Sequence, residues 1–100
     1  MLNTCMYLYV INNTENKCKI GFSSDPYKRL KTLQTGSSTN LKLHHYVEVP
    51  AARVKMLESK IHQELSYLRL RGEWFNIEPS KAQKMLDWLI IRHAEDPLLE

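Results

Sequence analysis

The stretch M6-Y-L-Y-V-I-N-N-T-E-N-K-C-K-I-G-F-S-S-D25 decides the fold. Two runs rich in β-branched and aromatic residues, "YLYVI" and "KCKIGFS", flank "NNTEN", whose Asn-rich composition suits a tight connection. Two such runs form a β-hairpin. Strand side chains alternate between faces, so Tyr7, Tyr9 and Ile11 share one side of the first run and Leu8 and Val10 the other. On the return run Lys19, Gly21 and Ser23 share a side, opposite Ile20 and Phe22. A hairpin needs only one apolar face to anchor it, so a face carrying two phenols, an amine and a bare glycine is expected to be the floor of a site.

Working outward, Asp25 suits a helix N-cap, Pro26 the first turn, and Gly36 the position just past the end, which bounds a helix over "PYKRLKTLQT". "LKLHHYVEV" alternates Leu41, Leu43, His45, Val47 and Val49 against polar neighbours and reads as a half-buried strand ended by Pro50. From Ala51 to about Leu70 the period becomes helical, with Val54, Leu57, Ile61, Leu65 and Leu68 on one stripe. "RGEWFNIEPS" reads as a turn plus a short extended segment. Pro79 and Ser80 announce a last helix that buries Ala82, Met85, Leu86, Leu89 and Ile90 and closes at Asp96-Pro97. The order β-β-α-β-α-(β)-α implies an α+β fold, a small antiparallel sheet of about three strands flanked by helices. One domain over residues 1–100 is expected, with its core at about 6–91 and a frayed C-terminal tail.

With 43% apolar and 25% charged residues, the chain has the make-up of an ordinary soluble domain. It holds no apolar run long enough to span a membrane and no secretory leader. Cys5 and Cys18 are therefore expected to be reduced thiols of an intracellular, cytoplasmic protein. Cys5, Cys18, His44 and His45 match no zinc-ligand spacing. The net charge of +3 is concentrated early: Lys17, Lys19, Lys28, Arg29, Lys31 and Lys42 face only Glu15 and Asp25, which points to an anionic partner such as a nucleic-acid backbone. Trp74, Phe75 and Trp88 are expected to pack in the core or on the sheet.

The triads Tyr7-Leu8-Tyr9 and Lys19-Ile20-Gly21, followed by Arg29, by Glu58 in "LESKIHQEL" and by "GEWF" at Gly72 to Phe75, carry a resemblance. In that order and spacing the chain resembles the GIY-YIG nuclease superfamily over residues 6–91. It is most similar to the small subfamily of bacteriophage open-reading-frame-172 type. Tyr7 stands where the broader pattern has glycine, Lys19 where it has tyrosine, and Leu33 where a histidine is common.

The resemblance implies a Mg²⁺-dependent (or Mn²⁺-dependent) DNA endonuclease, in the host cytoplasm if phage-encoded, with Tyr9, Lys19, Arg29 and Glu58 catalytic. The residue chemistry suits those roles. Glu58 would bind one metal ion, leaving water and phosphate to complete its shell. Arg29 offers a planar fork to phosphate. Tyr9 would act as general base, with Lys19 favouring its phenolate. Gly21 would leave room for the DNA backbone. Tyr7, Ser23, Lys28, Lys31, His62 and Asn76 are expected to support or bind DNA, with His62 one helical turn after Glu58. The partner is duplex or branched DNA, with RNA left open. The alternative is a catalytically weak or inactive DNA-binding or regulatory module of the same fold.

Overall fold

The computed structural model describes residues 5–94. The hairpin forms as expected: β1 (Cys5–Asn12) runs antiparallel to β2 (Cys18–Ser23), with Tyr9 opposite Gly21 and Ile11 opposite Lys19. The connection is held locally, because the Asn13 side-chain oxygen accepts from the backbone amides of Glu15 (2.9 Å) and Lys17 (3.0 Å). Asn16, at φ 58°, takes the left-handed conformation that asparagine tolerates better than most residues.

Helix α1 (Pro26–Thr35) has the predicted ends. The Asp25 carboxylate accepts from the Lys28 amide at 3.1 Å, and Gly36 closes the last turn. Strand β3 (Lys42–Pro50) keeps the predicted alternation and pairs antiparallel with the far edge of β1, placing Tyr46 opposite Tyr9 and Glu48 opposite Tyr7.

The second helix is shorter than its apolar stripe. Helix α2 (Ala51–Glu64) ends where Leu65 caps it, and Ser66–Leu68 form a 3₁₀ turn. Leu65 stays buried and Leu68 packs on the core, so the stripe is kept by a different backbone path. Two short strands follow, β4 (Arg69–Arg71) and β5 (Trp74–Phe75), joined through Gly72 at φ +55°. The sheet therefore has five strands rather than about three, in the order β3-β1-β2-β5-β4. Helix α3 (Pro79–Arg92) buries Ala82, Leu86 and Leu89, with Met85 and Ile90 at the margin of the core. Its expected close at Asp96-Pro97 lies outside the described residues.

Leu8, Val10, Cys18 and Ile20 form one core with Val49, Val54, Leu57, Ile61, Phe75 and the inner face of α3. Tyr9 and Ile11, on the opposite face of β1, are also buried, under α1. Both faces of the hairpin are thus covered, and on the face expected to floor a site Tyr9 and Ile11 lie in a buried layer. Cys5 and Cys18 are free thiols, and burial pushes Cys18 up to about 12. No helix among the described residues is long and apolar enough to cross a membrane.

Candidate active site

Four separate elements bring Tyr9, Lys19, Arg29 and Glu58 to one place. Tyr9 lies on β1, 1% exposed, with its ring running across β2 so that its hydroxyl sits over Gly21. A methyl group at position 21 would stand 2.7 Å from that hydroxyl oxygen and 2.9 Å from Oε1 of Glu73. The space expected to admit a DNA backbone is therefore filled by the site's own polar atoms. Gly21 is the only residue type small enough to lie beneath them.

Glu73 is a fifth member, and sequence reasoning missed it as a site residue. The left-handed Gly72 turns the chain between β4 and β5, and the Glu73 carbonyl accepts from the Ile20 amide at 3.1 Å. Its carboxylate is thereby aimed along β2, where Oε1 meets the Lys19 ammonium at 3.3 Å. Lys19 also lies 6.0 Å from the centre of the Trp74 ring. The available signal was "GEWF" itself, whose glycine and acid sit side by side before a two-residue strand.

The electrostatics separate two groups. Burial raises the Tyr9 phenol above its ordinary value of 10.0, and the negative charges of Glu73 and Glu58 add to this. Arg29, reaching in from α1, opposes the shift by hydrogen bonding and by charge. Arg29 rather than Lys19 is thus the cation that acts on Tyr9, and at neutral pH the phenol keeps its proton. Glu58, at the edge of α2 beside buried Leu57, is pushed up to about 7, first by burial and then by the charge and hydrogen bond of Glu73; Lys19 partly offsets this. Near neutrality the Glu58 carboxyl is therefore only partly ionised.

The supporting residues divide. Tyr7 packs edge-on against Tyr46, and the Ser23 hydroxyl accepts from the Asp25 amide at 3.0 Å, shaping the entry to α1. Lys28 and Lys31 are exposed on the same helix as Arg29. His62 shares a shallow recess with Glu58, Ser59, Gln63, Ser66 and Arg69, yet its Nε2 bonds the Ile20 carbonyl at 2.8 Å and its ring leans on Phe75. It braces β2 instead of orienting the Glu58 carboxylate. The Asn76 side-chain oxygen accepts from Lys17 at 2.9 Å, in the larger groove of about 990 Å³ between the hairpin loop, the 3₁₀ turn and α3. That groove holds none of the five clustered residues. Trp88, expected to pack in the core or on the sheet, is instead on α3 and 49% exposed on the groove's rim, under Arg92.

The T5orf172 domain model matches residues 5–90. The chain belongs to the T5orf172 domain family. This is a phage-type domain of nuclease-like, DNA-binding character. All five clustered residues fall within the matched span. No curated protein and no solved structure matches the chain.

Proposed function

We propose that this T5orf172 domain is a Mg²⁺-dependent DNA endonuclease with a site of GIY-YIG type. The observation that carries the reading is the convergence of Tyr9, Lys19, Arg29 and Glu58 from β1, β2, α1 and α2, although they are distant in sequence. A purely structural role would not require a phenol, a guanidinium and two carboxyls to meet above a glycine.

Among the described residues no group of three or more His, Cys, Asp or Glu could hold a metal ion. The pair Glu58 and Glu73 still fits Mg²⁺, which keeps several waters and takes one or two carboxylates with substrate phosphate. The donor chemistry is compatible with this: Glu58 is raised first by burial and then by the negative charge of Glu73, which Lys19 offsets only in part. Glu58 would be the principal ligand, with Glu73 beside it. Once bound, the ion would neutralise charge developing on the phosphate and lower the pKa of a water.

The chain's own residues account for the rest. Arg29 presents its fork where phosphate enters and polarises the Tyr9 hydroxyl. Tyr9, buried and protonated, is positioned to donate to a phosphate oxygen or to pass its proton on when cationic charge builds up around it. Lys19 is held by Glu73 at 3.3 Å, beside the carboxyl pair. Gly21 lets all of these groups lie against the sheet.

The retained phenolic proton also gives weight to a second reading, a DNA-binding module of the same fold that does not cut. Incubating plasmid DNA with the protein plus Mg²⁺, plus EDTA, and with Glu58→Ala separates the two. The endonuclease reading expects nicking or linearisation with Mg²⁺ alone. Equal cleavage by a folded Glu58→Ala protein would reject the assignment, and binding without cleavage in any metal would leave the second reading standing.

A further inference from the structure

We infer that Tyr27 and Tyr46 form a stacking platform for unpaired DNA bases beside this site. The inference rests on the reading of the site as a DNA-acting one.

Three tyrosines climb from the sheet to the surface. Tyr7 and Tyr46 meet at 5.8 Å between ring centres with planes 80° apart, and Tyr46 and Tyr27 at 5.7 Å and 74°. The last two rings are 41% and 59% exposed. Isolated surface aromatics are ordinary, but two in mutual contact are not scattered. In an edge-to-face pair the edge of one ring meets one face of the other, so the exposed area of these two rings includes ring face turned to solvent.

The surroundings indicate the occupant. Tyr27 lies in the first turn of α1, next to Lys28 and Arg29 and one turn from Lys31, and α1 carries no acid. The carboxylate of Asp25 is engaged by the Lys28 amide, and Glu48, two residues along β3 from Tyr46, is the acid on that strand. Exposed rings among lysines and an arginine suit a strand whose phosphates meet the cations while its bases meet the rings. Tyr46 pairs with Tyr9 across β1 and β3, so the platform and Tyr9 share one face of the sheet, with the Tyr9 hydroxyl carried further away over Gly21 of β2. Bases in a duplex hide their faces against each other. Only frayed, branched or single-stranded DNA presents a face to these rings.

The test uses the whole chain in EDTA, so that binding is read without cleavage. Fluorescence anisotropy compares a labelled blunt DNA hairpin with the same hairpin carrying a short unpaired thymidine overhang, at one fixed salt concentration. The expected result is about tenfold tighter binding of the overhang by the native chain. Tyr27→Ala and Tyr46→Ala should each remove most of that preference, whereas Tyr27→Phe and Tyr46→Phe, which keep the rings, should retain it. Circular dichroism confirms that each variant is folded. Equal affinity for both hairpins, or a preference that survives in folded alanine variants, overturns the platform while leaving the endonuclease reading intact. Failure to bind either DNA overturns both. Tighter binding of an RNA overhang overturns the assignment to DNA.

Discussion

Glu73 holds Lys19 at 3.3 Å beside β2, so the lysine proposed to assist Tyr9 is already committed to a carboxylate. Its charge therefore acts on the two glutamates more than on the phenol. In Glu73→Gln the negative neighbour of Glu58 disappears while the side-chain shape stays. The Glu58 carboxyl should then fall from about 7 towards 4.5, as followed by NMR titration of the side-chain carbonyl. An unmoved titration would mean that burial alone sets the shift.

The same pair makes stability depend on pH in a defined direction. The Glu58 carboxyl binds its proton more tightly in the folded chain than in the unfolded one. Its contribution to stability is fully present below about 4.5 and is lost as pH rises through about 7. To isolate this group, the native chain is compared with Glu58→Gln by urea denaturation at several pH values. The difference between the two proteins should grow in favour of Glu58→Gln as pH rises, and a constant difference would contradict the shift.

At Gly21 the prediction is steric. In Gly21→Ala the new methyl meets the Tyr9 hydroxyl at 2.7 Å; the glutamate tip can swing away, but a buried ring cannot. The overpacking should cost about 1–3 kcal/mol, measured by chemical denaturation. Cleavage should drop with it, because Tyr9 and Glu73 are the groups displaced. Native stability in Gly21→Ala would show that the layer is loosely packed.

Tyr9→Phe keeps the buried ring and removes one hydroxyl. The fold should survive, and single-turnover cleavage should fall by about 10²-fold or more if the phenol takes part in the chemical step. A Tyr9→Phe protein that cuts normally would reduce Tyr9 to a packing residue.

His62 tests bracing against catalysis. Its ring joins the Ile20 carbonyl to Phe75, so His62→Ala should lose about 1–3 kcal/mol of stability. Once the variant is kept cold enough to stay folded, its cleavage rate should recover much of the native value. A folded variant with no activity would assign His62 to the chemistry.

The legible parts of the chain were those determined by near neighbours. Asp25, Pro26 and Gly36 set the ends of α1 through bonds within one turn, and the alternation from Leu41 to Val49 follows from which residues face the helices. The triads and Arg29 also led to the site, because the hairpin register and the first helix bring them together. What escaped depends on tertiary pairing. Arg69–Arg71 is an exposed three-residue strand that exists only through β5, so a continuing helical stripe over Leu65 and Leu68 concealed it. Glu73 reaches Lys19 only because the Gly72 turn lies against β2. Helical spacing put His62 on the right side of α2 but could not tell that the Ile20 carbonyl would meet it there.

The site draws on β1, β2, α1, α2 and the turn before β5, and that ordering has a consequence for biosynthesis. Glu73 is translated last of the five, and the β4–β5 turn that aims it cannot settle before β2 is in place to receive it. A growing polypeptide therefore carries the early cations without the finished carboxyl pair. If the domain cuts DNA, its nuclease activity comes into being only when nearly the whole matched span has been made and folded.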